Sequence, residues 1–330
     1  MKKITTIIIT SFVGILLLSL WFFFIDIHQV VENIKSVNLN WIFIAIIFYV
    51  STVFIRSIRW NIIMRKIKSL TIWRTFVLYM TGNYINFLVP VRAGEFAKSL
   101  FLKKINDIPI ATSLPAILFD KILDLSPVFI ILGLAPFVQR ELPQTLWIIL
   151  IVVFVVMLTV LSLYYLGIKN QAALFKIVEY VFFWLPKSIK GKAMNFFKDG
   201  IAGLSIAKQK PSAFLLIIGI TLAAVLTDTL YMASIFRAFN VSIPLLYVFI
   251  GYTLFNLSYI LPTPPAQIGS VEVIMLLIFS GVFGIEKNIM SSVIIVVHSL
   301  TGLYIFFAGV ISTASLGISV VDTLKKSEPV

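Results

Sequence analysis

Asn83-Tyr84-Ile85-Asn86-Phe87-Leu88-Val89-Pro90-Val91-Arg92-Ala93-Gly94-Glu95 interrupts an apolar run in the first half of the chain, and its reading decides the fold. Asn256-Leu257-Ser258-Tyr259-Ile260-Leu261-Pro262-Thr263-Pro264-Pro265-Ala266-Gln267-Ile268-Gly269-Ser270-Val271-Glu272 interrupts another in the second half. Each carries Asn, then Leu-x-Pro or Leu-Pro, then Gly shortly before Glu. Broken apolar segments at corresponding places in two halves point to the binding site of a transporter.

The rest of the composition agrees with a membrane setting. Of 330 residues, 60% are hydrophobic and only 12% charged, with a mean hydropathy of +1.04. That much apolar surface does not fit inside a soluble core. The run 4–25 follows Lys2 and Lys3 but exceeds a signal-peptide core, so it reads as a retained first span. The absence of cysteine excludes disulfides, thiolate metal sites and cysteine nucleophiles. A net charge of +13 would suggest nucleic acid in a soluble protein. Here the bases gather where cytoplasmic loops belong, and no nucleic-acid partner is expected.

Runs of membrane length cover 4–25, 39–64, 109–136, 145–168, 211–236 and 288–317, which gives six full spans. Segments 75–104 and 244–284 are broken near their middles, leaving arms too short to cross comfortably, and read as re-entrant helical hairpins. Charge tests this layout. With the N-terminus inside, only Lys35, Arg140, Arg237 and Lys287 of the 27 Lys and Arg fall outside. Arg92 and Lys121 lie within the membrane and the remaining bases lie inside, provided that both broken segments return to the side they left.

The expected architecture is therefore an all-α polytopic membrane protein: six full spans plus two re-entrant helical hairpins arranged as inverted repeats. It forms a single membrane domain over 1–330, with repeat A at 4–136 and repeat B at 145–317. The two hairpin tips should meet near the midplane. The stretch 26–38 reads as a short external connector. The longer connector 170–210 is basic, and Met194, Phe197, Ile201 and Leu204 at helical spacing suggest a cytoplasmic amphipathic helix on the inner leaflet. Both termini are expected in the cytoplasm.

Ionisable residues inside apolar spans cost roughly 2.5–3.5 kcal/mol each on insertion scales, so they are candidates for function. Arg92 and Glu95 share a helix face after Pro90. With the free N–H groups of that helix start they offer a site for an anionic head group, or they neutralise one another. Ser270 and Glu272 occupy the matching start in the second element, where Glu also suits the positive helix end. Asp120, Lys121 and Asp124 lie on the third span, Asp120 about 16 Å from its start. Asp228, without a cation nearby in sequence, and His298 join Glu272 as proton-coupling candidates. His298 alone reads first as a hydrogen-bonded core residue and second as a proton carrier. Arg56 and Arg59 beside Trp60 read as side chains snorkelling to the interface, or as guides for an anionic head group moving inward. No nucleophile motif, metal spacing or cofactor motif is present.

These residues resemble a known family. Asn83, Leu88 through Glu95, the basic Lys98 and the Asp120-Lys121 to Asp124 element are similar to the membrane region of lysylphosphatidylglycerol synthase/flippase proteins and their stand-alone flippase-like relatives. The family's first signature reads approximately Pro-x-Arg-x-Gly-Glu, with Arg at the Lys98 position, then an acidic-Arg pair and a later Asp. Lys98 and Lys121 keep the charge but lose the arginine fork. In the second signature Leu261, Pro262, Pro264, Gly269 and Glu272 match, while Pro265-Ala266 replaces two glycines and implies a stiffer tip. The substrate-binding candidates are Asn83, Asn86, Pro90, Arg92, Glu95, Lys98, Asp120, Lys121, Asp124, Asn256, Pro262, Gly269 and Glu272.

The resemblance implies movement of lipids between leaflets, and the aminoacyl-transfer domain of the bifunctional relatives is not found within these residues. The expectation is a non-enzymatic flippase or transporter of the cell membrane, acting on lipids with anionic or zwitterionic head groups: a phospholipid, a glycolipid or a polyprenyl-phosphate carrier. Two alternatives stay open, an integral membrane transferase using a lipid-linked donor and a non-catalytic partner of a lipid-modifying enzyme. Either a homo-oligomer or a lipid-modifying enzyme partner is compatible with the sequence.

Overall fold

The computed structural model describes residues 2–65, 67–89, 94–134, 144–181, 211–258 and 263–317, and these residues are helical throughout with no strand among them. The order is α1 (Lys2–Phe23), α2 (Ile27–Lys35), α3 (Leu39–Met64), α4 (Ile72–Leu88), α5 (Gly94–Asn106), α6 (Ile110–Asp124), α7 (Pro127–Leu134), α8 (Gln144–Lys169), α9 (Gln171–Val181), α10 (Pro211–Ala238), α11 (Leu245–Ser258), α12 (Ser270–Leu276) and α13 (Lys287–Ser315). A 3-10 turn at Pro265–Gln267 precedes α12, and a π turn at Leu277–Val282 follows it.

Helices suit a bilayer because every interior backbone N–H finds its acceptor within the segment. Four stretches among the described residues are long and apolar enough to cross: Leu39–Met64, Ser212–Ala238, Pro265–Val282 and Lys287–Ser315. The bent pair α1–α2 adds a fifth. Phe12, Ile15, Phe43, Ile47, Ile151, Val155, Leu215, Leu226, Phe307 and Ile311 stand exposed on these helices and on α8, an outward apolar face that hydrocarbon would cover. Several hydroxyls inside the helices are satisfied locally. Thr221, Thr229, Ser234, Thr301 and Thr313, for example, each donate to the carbonyl four residues back.

The structure departs from the sequence reading in two places. The stretch after α1 is not a plain connector: the chain bends by 85° and forms α2. Asp26 caps it, accepting from the N–H groups of His28 at 2.9 Å and Gln29 at 3.2 Å. The expected third span is also broken, into α6 of 15 residues and α7 of 8. Pro127 explains the break, since it lacks the N–H a continuing helix needs and is well placed as the first residue of α7.

Contacts divide the chain into two compact units. The first comprises Met1–Arg56, Phe76–Ala97 and Leu222–Val330. Its core is aromatic: Tyr49 meets Tyr231 and Tyr304, and Phe236, Phe279, Phe283 and Tyr247 form a second stack. Within it, α4 and α13 approach at Gly309, where any Cβ would run into the Tyr84 side chain. The second unit comprises Ser57–Thr75 and Lys98–Thr221. There Lys68 donates to the Asn106 carbonyl at 2.7 Å and Arg74 to the Ile105 carbonyl at 3.4 Å, covering the negative end of α5 with cations. The tips at 90–93 and 259–262, and the amphipathic pattern at Met194, Phe197, Ile201 and Leu204, lie outside the described residues.

Candidate functional site

The first interrupted segment is held by an amide. Asn86 near the end of α4 accepts from the Gly94 N–H at 2.7 Å and donates through Nδ2 to Glu95 Oε1 at 3.1 Å. Its oxygen satisfies one of the orphan donors at the start of α5, and its NH2 steadies a carboxylate at the positive helix end. Gly94 permits this approach, because a Cβ there would collide with the Gly82 carbonyl. Asn83 sits half-buried on α4. Pro90 and Arg92, expected to complete this site, lie outside the described residues.

In the second unit the expected third-span acids form a charge cluster with a partner that sequence reading placed elsewhere. Arg59 does not snorkel; it is 1% exposed. Its Nε donates to Asp120 Oδ1 at 2.7 Å, and its Nη2 donates to Asp124 Oδ1 at 2.6 Å and to the Asp120 carbonyl at 3.0 Å. Thr221, whose own proton goes to the Ile217 carbonyl, accepts from Nη1 at 3.4 Å. Lys121 lies 3.4 Å from the other oxygen of Asp124. Lys98, also 1% exposed, places its ammonium 5.6 Å from the centre of the Trp60 ring. Asp120, Lys121 and Asp124 come together in this cluster, and Arg59 is the residue that was missed. Its signal was numerical: two arginines three apart on one apolar helix, and three embedded acids with too few local cations.

Arg56 answers the same count in the first unit. Its Nη2 meets Asp228 Oδ2 at 2.5 Å. Asp228 was singled out for lacking a cation nearby in sequence; in space it has one, delivered by α3, so its case as a proton carrier loses that reason. A further tie, Thr52 to the Thr227 hydroxyl at 2.6 Å, joins the same two helices.

The second interrupted segment carries a different arrangement. Ala266 and Gln267 take left-handed backbone angles, φ 52° and 62°, and Gly269 follows at φ 83°. Glycines at the Pro265-Ala266 positions would have suited such a turn, and Ala266 adopts the left-handed conformation without being one. Glu272 then reaches back over the start of α12: Oε2 accepts from the Gly269 N–H at 2.7 Å. Oε1 lies 2.6 Å from His298 Nδ1 on α13, and His298 Nε2 lies 2.8 Å from the Ala266 carbonyl. Glu272 and His298, two independent candidates in the sequence, are thus one unit. The Ala266 carbonyl was the part no side-chain pattern could reveal. Asn256 is half-buried on α11, and Pro262 lies outside the described residues.

Beside this group opens a cavity of about 560 Å³. Trp21 and Phe22 of α1, Val30 and Ile34 of α2, and Ile295 and Leu303 of α13 give it apolar walls, and Phe87 from α4 joins them. Ala266, Glu272 and His298 supply its polar part. An open apolar groove with one polar corner suits an amphiphile.

No solved structure matches the chain. A UPF0104 membrane protein of Methanocaldococcus jannaschii is similar, with 22% identity over 303 residues, which cover 88% of each chain. The description of the lysylphosphatidylglycerol synthase TM region matches residues 7–309. With the match running from α1 to α13, and so through both interrupted segments, the chain belongs to the lysylphosphatidylglycerol synthase transmembrane-region family.

Proposed function

We propose that this protein is a lipid flippase or transporter that moves a lipid with an anionic or zwitterionic head group between leaflets, without enzymatic chemistry of its own. The observation that carries the reading is the cavity, which draws Phe87 from one interrupted segment and Ala266, Ile268 and Glu272 from the other. Its apolar walls are matched to hydrocarbon, and the charged and hydrogen-bonded groups nearby are matched to a head group. Family membership supports the same class of work at a membrane.

The topology that goes with this function is six spans and two re-entrant hairpins in inverted repeats, in the cell membrane with both termini cytoplasmic. The short arm α5 supports it: its 13 residues rise about 20 Å at 1.5 Å per residue, less than the ~30 Å of hydrocarbon to be crossed. Because the chain has no native cysteine, single cysteines at Lys104 and Gly284 test the layout directly. Lys104→Cys should label from the cytoplasmic side and Gly284→Cys from the exterior. Labelling of Lys104→Cys from outside would end the hairpin assignment.

Arg92, two residues before Gly94 in the sequence, is the cation we assign to the head group. Head-group accessibility in vesicles holding the purified protein, across a panel of phospholipids, glycolipids and polyprenyl phosphates, tests the function. At least one lipid should equilibrate faster than in protein-free vesicles. Arg92→Ala should bring that rate down to the protein-free level, and Arg92→Lys should recover part of it, since an ammonium keeps the charge without the fork. Unchanged transport by a normally folded Arg92→Ala protein would remove Arg92 from the site.

A further inference from the structure

Glu272, His298 and the Ala266 carbonyl form a chain whose proton count is fixed by its geometry. A carbonyl only accepts, so the 2.8 Å contact places a hydrogen on His298 Nε2. The 2.6 Å contact between Nδ1 and Glu272 Oε1 then needs one more hydrogen, carried by either atom. Glu272 Oε2 is already an acceptor from the Gly269 N–H. A carboxylic acid beside a neutral imidazole and a carboxylate beside an imidazolium are two forms of this one-proton state. Both have no net charge, which suits a group buried among apolar helices.

Removing that proton must break one of the two contacts His298 makes. If Nε2 keeps its hydrogen, two lone pairs face each other across the Glu272–His298 contact. If the ring changes tautomer, Nδ1–H serves the carboxylate, and a bare Nε2 faces the Ala266 carbonyl. In that case Ala266 loses the bond that accompanies its left-handed backbone, and the turn before α12 is free to relax. Either way α13 gives up one of its two ties to the second interrupted segment at the wall of the cavity.

Few other groups bear on this pair. α12 carries no second charge, and α1 has none from 4 to 23. α11 contributes the tyrosines Tyr247 and Tyr252, and α13 adds Tyr304 and, at its first residue, Lys287, which lies over the Phe24 ring. On α2, His28, Glu32 and Lys35 are exposed. Arg56 is engaged by Asp228.

We propose that Glu272 and His298 form a single-proton carrier site, and that unloading it loosens the cavity wall while reloading closes it. Coupling of that proton to lipid movement rests on the transport reading above; the proton site itself does not. The reaction is a simple dissociation: the shared hydrogen leaves as a proton, the pair becomes a carboxylate beside a neutral imidazole in one tautomer or the other, and no covalent bond changes except those to the ring and carboxyl hydrogens.

Glu272→Gln is the informative variant. The amide NH2 donates to His298 Nδ1 and the amide oxygen accepts from Gly269, so the variant reproduces the loaded hydrogen-bond pattern and cannot unload. A reporter cysteine replaces Ser299, which is exposed and lines the cavity. Maleimide labelling of Ser299→Cys is followed against pH in detergent, with and without Glu272→Gln, so that the thiol's own titration cancels in the ratio. That ratio should rise with pH, as the native pair unloads and the variant does not. A ratio flat with pH would overturn the proton site.

In vesicles, transport by the native chain should respond to an imposed pH gradient, and Glu272→Gln should lose that response. A pH-dependent ratio with transport indifferent to the gradient would overturn the coupling and leave the site. The same ratio with no movement of any lipid would instead overturn the transport reading.

Discussion

Arg59→Ala is expected to cost about 3–5 kcal/mol of stability, the usual penalty for removing one partner from a buried ion cluster. Arg59 is the only described cation in direct contact with Asp120, and it also bonds Asp124, Thr221 and a backbone carbonyl. Without it, two carboxylates four residues apart face each other on one helix, with Lys121 3.4 Å from one of them. Repulsion and desolvation then act together. The protein should lose its monodisperse peak on fluorescence-detected gel filtration or melt far below the native chain in the same detergent. Replacing the buried pair, with Arg59→Met and Asp120→Leu together, should recover most of the loss, because Asp124 keeps Lys121 as its partner and no uncompensated buried charge remains. A native-like melting temperature for Arg59→Ala alone would show that the cluster is dispensable.

Gly269→Ala should be the second severe change, and for a reason unrelated to charge. At φ 83° an L side chain costs about 1–2 kcal/mol. The added Cβ would also run into the Gly14 carbonyl oxygen and meet Leu17 Cβ at 2.9 Å on α1. A backbone carbonyl inside a helix cannot rotate away, so overpacking adds roughly 1–3 kcal/mol. The approach is mutual: a Cβ on Gly14 would meet the Ile268 carbonyl and Pro264 at 2.9 Å. Thermal melts of Gly269→Ala and Gly14→Ala should both fall below that of the native chain, with Gly269→Ala the lower because only it adds backbone strain. Equal stability of Gly269→Ala and the native chain would contradict the contact.

How far could these features be read before any coordinates? The helical membrane architecture was legible because length and hydropathy alone exclude other folds. The breaks at 89–94 and 258–270 were legible through Pro, Gly and Asn. Glu272 and Glu95 were found by their place in the first turn of a helix. What escaped was every partnership between distant segments. Nothing in the sequence aligns Arg59 with Asp120 or Arg56 with Asp228, because ion pairing is decided by which helix faces meet. The turn at Ala266 escaped for another reason: a residue with no special backbone freedom adopts a glycine-like angle, so composition gives the wrong sign. The bend after Ile25 was hidden by the apolar run before it, although Asp26 carries the usual signal of a helix start.

That bend sets an order of assembly. α1 packs against the second interrupted segment, and α2 lies on α13. The Asp26 N–H donates to the Asn288 side chain at 2.8 Å, Asn288 donates to Gln29 at 2.7 Å, and Ser292 donates to the Val30 carbonyl at 3.3 Å. The first helix made thus finds these partners some 240 to 290 residues later in the chain. At a synthesis rate of 5–20 residues per second, α1 waits roughly 10–60 s in the bilayer before they arrive. During that wait its polar sequel from Asp26 to Asn38 has none of these contacts, and it gains them only when α13 is made.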